Sequence, residues 1–279
     1  MGRRIRLKPF TRLSMRLMKR YLQILKSCFQ CSLMLEMEYV FNFFFGGLFE
    51  LAWLIMYILL LNVIFLGTGA IGDWGKYEVL LLTFQGGLTD ALMTCFAVPG
   101  LSRLPQLVNT GELDFYLLKP IHLRFNLSVK NFSFSQSANV VINIGGILYC
   151  LHQLKARPSV GLVLGYLLVS LSGFIIIDSI LFALMSLSFW LFRMDGVMGV
   201  CPELITVGNK PYTIYPRILQ KILIYMVPIL AAFNGPVIFL IRNHSPVVML
   251  VPAGCAAVWI AVSNFIFKRG LKKYVSAGS

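Results

Sequence analysis

The sequence predicts an all-α integral membrane protein, and three observations carry that prediction. Hydrophobic residues fill 58% of the 279 positions and charged residues only 13%, with a mean hydropathy of +0.78; a soluble domain of this size carries about 25% charge. Apolar runs near the ~20 residues that cross a bilayer recur six times. They lie at about 44–66, 77–98, 131–151, 159–182 or longer, 222–241 and 247–267. The cations, finally, are segregated between alternate connectors. The expected architecture is six transmembrane helices behind an N-terminal amphipathic interfacial helix, with both termini cytoplasmic. The regions are a basic elbow (1–42), the six-helix domain (43–267) and a basic tail (268–279).

The first region runs for about 40 residues before an apolar span, longer than a signal peptide's n-region, so no cleavable signal is expected. Within it, residues 10–28 read as an amphipathic helix. Phe10, Leu13, Leu17, Tyr21, Ile24 and Cys28 fall on one side, and Arg12, Arg16, Lys19, Gln23 and Lys26 on the other. Such a helix lies in the headgroup layer with its cations near anionic lipid. Cys28 and Cys31 form a lone C-x-x-C; no second pair or nearby His completes a zinc site, so no metal is expected.

Between the runs, the charge count sets the orientation. If the N-terminus is cytoplasmic, 21 of the 25 Lys/Arg fall in inside segments. Only Lys76, Lys155, Arg157 and Arg242 fall outside. The positive-inside rule then places both termini, and connectors 99–130 and 193–221, in the cytoplasm. With its net charge of +14 spread this way, the chain carries no nucleic-acid-binding face.

Three runs have internal features. The run 159–192 would reach about 50 Å as a helix against a core of about 30 Å, so its end, near Trp190, projects beyond the bilayer. The run 222–241 holds Pro228 and Asn234-Gly235-Pro236, and is expected to be broken or re-entrant. His244-Ser245-Pro246 suits a helix start, Ser245 capping and Pro246 in the first turn.

Catalysis has no residues to stand on. There is no G-x-x-x-x-G-K-[ST], H-E-x-x-H or G-x-S-x-G, and His122, His152 and His244 lie near three separate span ends. Ionisable groups inside spans are costly and need a reason; Glu50, Asp90 and Asp178 are the three. They suit either a translocation path or structural pairing with a neighbouring helix. Gln136, Asn139 and Asn143 share one helical face, which suits either a substrate path or helix packing.

One connector has a designed shape. In Thr110-Gly-Glu-Leu-Asp-Phe-Tyr-Leu-Leu-Lys-Pro120 a short helix over Pro105–Asn109 would be stopped by Gly111 in the left-handed conformation. Glu112 to Lys119 would then add one or two turns before Pro120. A compact, rigid, amphipathic segment suits a lever docked on a moving partner; a simple interfacial loop cap is the alternative.

This stretch, GELDFYLLKP, resembles the G-x-L-D-x-x-L-x-[RK]-P signature of permeases in the ABC type-2 transporter family, in its six-span bacterial branch. The stretch from Tyr215, YPRILQKILIYMVPILAAFNGPVIFL, is similar to that branch's fifth segment, and Glu38 to Phe45 to its entry into span one. The matching positions are Gly111, Leu113, Asp114, Leu117, Lys119 and Pro120, and the resemblance implies that these, with Glu112, couple to an ATPase. It further implies a bacterial-type cytoplasmic membrane, a second six-span permease, and separate ABC ATPase subunits that hold ATP and Mg. The expected function is a permease of the export type, working by alternating access, with Gln136, Asn139, Asn143, Asp90 and Glu50 along the path. A proton-coupled secondary transporter using Glu50 or Asp90, and a membrane scaffold without transport, are the alternatives.

Overall fold

The computed structural model describes residues 40–118, 123–130, 133, 136–191, 194 and 197–274, with isolated positions 27, 30 and 34. The amphipathic segment 10–28, the pair Cys28 and Cys31, and the motif residues Lys119 and Pro120 lie outside them. Among the described residues every regular element is helical, with one isolated bridge between Ile71 and Trp74.

Four helices are long and apolar enough to cross a membrane. They belong to α1 (Val40–Gly67), α2 (Lys76–Phe96), α8 (Val160–Ser186, continued by a 3-10 turn to Phe189) and α12 (Pro246–Leu271). Between α2 and α7 (Ser137–Gln153) lies a chain of short helices: α3 (Val98–Leu101), α4 (Leu104–Thr110), α5 (Leu113–Leu117) and α6 (Leu123–Lys130). After α8 come α9 (Val200–Gly208), α10 (Arg217–Lys221, continued by a π turn to Met226) and α11 (Ile229–Ile241). The third predicted run, 131–151, folds as α7, which starts only at Ser137 and has 17 residues. That is about 25 Å, just short of the bilayer core.

Local chemistry sets the helix starts. Ser159 accepts a hydrogen bond from the Leu162 amide at 3.4 Å and Ser245 one from the Val247 amide at 3.3 Å, with Pro246 in the first turn as its fixed φ favours. The core is the contact of α8 with α11 and α12. At its centre Gly173 of α8 meets α11 so closely that a Cβ there would lie 2.4 Å from the Ala232 carbonyl oxygen.

The bundle has two ends, and contacts between distant residues define them. At one end Trp74 and Glu78 meet Arg242, and Tyr77 meets Tyr149. At the other Tyr274 meets Gly111 and Phe189, and Arg124 meets Asp178.

This frame corrects the sequence reading in one region. The ring of Tyr212 lies 6.2 Å from that of Trp74, edge on, and the Arg242 guanidinium lies 4.4 Å over the same ring. The stretch 212–242 therefore begins and ends on one tryptophan. In between, it descends to the middle of the bundle. There Trp259 donates to the Met226 carbonyl at 3.2 Å, and the chain turns through 93° at Pro228. The run 222–241, expected to be broken or re-entrant, is broken, and the stretch forms a hairpin that returns to the tryptophan on which it began. The break falls at Pro228, whereas Pro236 sits inside the intact helix α11. The end-to-end passage belongs instead to the stretch from Phe189, packed on Gly270, to Tyr212 on Trp74. Connector 193–221 is thus not confined to the Tyr274 end.

Candidate functional site

The site grows from four helices that each present a stripe at helical spacing. On α1 the stripe is Glu50, Trp53 and Tyr57; on α2 it is Thr83, Gly87 and Asp90. On α7 it is Gln136, Asn139 and Asn143, and on α9 it is Pro202, Ile205, Thr206 and Asn209, followed by Lys210. Steps of three and four residues keep side chains on one face, so four stripes turned inward enclose one cavity of about 710 Å³. It takes in all five path candidates named from the sequence: Glu50, Asp90, Gln136, Asn139 and Asn143. Asp90 stands 14 residues into α2 from Lys76, or about 21 Å from the Trp74 end, so the acidic part of the cavity lies toward the Tyr274 end.

The amides are organised by their own helix. Gln136 precedes the first turn of α7 and accepts a hydrogen bond from Asn139 Nδ2, and Asn143 Nδ2 donates to the Asn139 carbonyl at 2.7 Å. The carboxylates are not tied down in this way: among the described residues neither Glu50 nor Asp90 has an ion-pair partner.

Asp178 has another fate. It pairs with Arg124 of α6, which also donates to Ser179 Oγ at 3.0 Å and stacks 4.9 Å over the Phe182 ring. It is a structural carboxylate that ties connector to span. It also borders a second cavity, of about 410 Å³ between α2 and α8, half of whose lining residues are Leu and Phe. There Tyr166 donates to Gln85 Oε1, a buried polar link between the two helices.

The α9 wall was not foreseen. Nine residues, Val-Cys-Pro-Glu-Leu-Ile-Thr-Val-Gly, followed by Asn and Lys, read as a cytoplasmic connector. What lets this stretch sit inside the bundle is Asn234 on α11. Its Nδ2 donates to the carbonyls of Gly208 at 3.0 Å and Lys210 at 3.2 Å, and its Oδ1 accepts from the Tyr212 amide at 3.0 Å. Tyr215 donates to the Val207 carbonyl at 2.9 Å. The backbone groups that a helix end leaves without intrahelical partners are met by side chains in place of water. The one signal for this in the sequence was the Asn-Gly-Pro of an otherwise apolar run.

The expected lever has the expected shape. Helix α4 ends at Thr110, Gly111 follows in the left-handed conformation at φ 79°, and α5 begins at Leu113. Leu113 is buried, while Glu112, Phe115, Leu117 and Leu118 face outward. Asp114, which the resemblance places among the ATPase-coupling residues, lies beside Tyr274 of its own chain.

Among the described residues no three of His, Cys, Asp and Glu gather as a metal would require. No curated protein matches the chain. A family model described as ABC-2 family transporter protein matches residues 51–278, a range that holds the lever, the hairpin and nearly all of the cavity. The chain belongs to the ABC-2 transporter family, as a multi-pass membrane permease.

Proposed function

We propose that the chain is a permease subunit of an ATP-driven exporter and that the four-helix cavity is its translocation path. Two such subunits would pair, and two separate ATPase subunits would bind ATP and Mg at the Tyr274 end, which faces the cytoplasm of a bacterial-type inner membrane. The carrying observation is that one cavity gathers stripes from α1, α2, α7 and α9, with two carboxylates that have no ion-pair partner among the described residues. The charge asymmetry supports the orientation. Lys210, Arg217 and Lys221 leave the inside group once 212–242 is a hairpin, and the remaining 18 inside cations still outnumber the seven on the other side.

The mechanism follows from connectivity. Helices α2 and α7 are two walls of the cavity, and α3–α6 join them. The same connector is fastened to α8 through Arg124 and Asp178 and to the end of α12 through Gly111 and Tyr274. A push on the lever is therefore delivered to four long helices together, not absorbed by a loop. ATP drives the cycle to the extent that it binds one state of the ATPase pair more tightly than the other. Six passages result: α1, α2, α7, α8, the stretch 189–212 and α12, with 212–242 as a hairpin plug at the outer end.

The test is purification of the tagged full chain from native membranes, identification of the subunits that come with it, and solute flux in vesicles. Flux that needs ATP and an ATPase carrying a Walker A sequence supports the reading. Flux that survives ATP depletion and collapses with the proton gradient replaces it with proton coupling through Glu50 or Asp90. A chain that brings down no ATPase and moves no solute is a scaffold.

A further inference from the structure

The cavity's charge and ring content narrow what it can hold, an argument that rests on reading it as the path. Its ionisable lining among the described residues is Glu50, Asp90 and Lys210. Two carboxylates against one ammonium leave a single negative charge. At membrane depth such a charge is costly, and it is rarely left without a counter-charge or a water-filled space. Among the described residues Lys210 is the one cation in the lining, and neither Glu50 nor Asp90 has an ion-pair partner. A neutral or anionic solute would leave the imbalance in place as water is excluded, and a monovalent cation removes it.

The surroundings of the carboxylates suit an organic cation better than a metal ion. Phe49, Trp53 and Tyr57 share the cavity-facing side of α1 with Glu50, so rings stand within a turn or two of the acid. Trp53 is 66% exposed, an open ring surface for a large indole. Ring faces attract cations, most strongly where water is excluded. Across the cavity, Asn139 gives one N–H to Gln136 and Asn143 one to the Asn139 carbonyl. The Asn139 side-chain oxygen remains as an acceptor on this wall, and oxygens accept from cationic donors. Carbonyls alone would serve a small hydrated metal; the rings have no use for one.

We propose that this cavity selects a monovalent organic cation with an aromatic or apolar body, its charge between Glu50 and Asp90 and its body against the α1 rings. Lys210, from the opposite wall, sets the charge limit: it disfavours a second positive charge.

The experiment uses the full chain with its co-purifying subunits in nanodiscs and two probes of equal shape and opposite charge, tetraphenylphosphonium and tetraphenylborate. Equilibrium binding is read above an empty-nanodisc blank. Tetraphenylphosphonium should bind saturably and tetraphenylborate should not. Glu50→Gln and Asp90→Asn should each weaken the cation about tenfold, as loss of one charged partner does. Lys210→Met should tighten it, a gain that damaged folding does not produce. Equal binding of both probes, carboxylate variants that bind as wild type, or Lys210→Met that weakens the cation would each overturn the proposal. Its failure is separable from that of the transport reading. ATP-driven flux of only neutral or anionic solutes sinks the cation and keeps the transporter. Charge-selective binding without ATP-driven flux keeps the cation site and sinks the transporter.

Discussion

Tyr274, three residues beyond the last helix, donates its hydroxyl to the carbonyl of Gly111, 3.0 Å away and 163 residues earlier in the chain. The ring lies edge on to Phe189, 6.1 Å between centroids, and Phe189 packs on Gly270 and Phe267. The turn that shapes the lever is therefore held by the end of the chain.

Tyr274→Phe keeps the ring and removes the hydrogen bond, a loss of about 1 kcal/mol. Membrane level and ATPase pull-down are expected to stay near wild type while solute moved per ATP falls. Gly111→Val strains the left-handed position by about 1–3 kcal/mol and is expected to uncouple more strongly, as is Asp114→Lys, which puts a cation beside Tyr274. Wild-type coupling in all three would reduce the lever to a loop cap.

The latch has a pH range. Burial, and then the neighbouring Asp114 carboxylate, push the Tyr274 phenol above its ordinary value, which is near pH 10. A group whose folded pKa is raised stabilises the fold fully below its unfolded pKa and loses that contribution as pH rises through the folded one. The tyrosine thus stays protonated across the neutral range, and its contribution to coupling should not change with pH there. The phenolate absorbance of wild type, compared with Tyr274→Phe, should appear only above the ordinary tyrosine range.

Asp178 and Arg124 are each 15% exposed. Asp178→Asn leaves a guanidinium with little water and no counter-charge, a loss of about 3 kcal/mol by the behaviour of buried pairs. The expected readout is a lower melting temperature of the purified complex. The double change Arg124→Met with Asp178→Leu should recover part of that loss. Equal melting of the single variant and wild type would mean that the pair fastens nothing.

Because Trp74 holds both ends of the hairpin, side-specific labelling should sort positions in an unexpected way. In a cysteine-free background, cysteines at 70, 214 and 243 are expected to react with an impermeant reagent from one face of the membrane. Those at 112 and 272 should react only from the other. Labelling of 214 together with 112 would restore 222–241 as a span.

Asn234 serves three backbone groups of 208–212 at once. Asn234→Leu leaves those groups without partners in a water-poor place, at about 1–3 kcal/mol each. Loss of order in the α9 wall should appear as faster amide exchange over 205–212, with α8 and α12 unchanged. Asn234→Asp, which removes the donor and keeps an acceptor, should release Gly208 and Lys210 more than Tyr212.

Much of this was legible beforehand because it rests on local rules. Helices α1, α2, α8 and α12 announce themselves by length and apolarity; Gly111, Ser245 and Pro246 by their backbone preferences. The stripes of Glu50, Asp90 and the α7 amides are periodic, so their faces were readable, although their meeting in one cavity was not. The passage 189–212 escaped because α9 has only nine residues and borrows its hydrogen-bond partners from α11, a debt recorded 26 positions away at Asn234. The break of the run 222–241 was legible from its prolines; that the chain then comes back to its starting point was not, and Trp74, touching both Tyr212 and Arg242, shows it.

A segment that returns to its point of departure has no effect on the parity of the chain. Whether residues 212–242 are lengthened, trimmed or replaced by a short tie between Tyr212 and Arg242, helix α12 still starts on the same face and the tail still emerges on the other. The spans have no such freedom, since deleting any one of them inverts everything downstream. Hairpin length is thus invisible to the topology of the permease, and the Trp74 end of the bundle is where this chain can change in size without inverting any span.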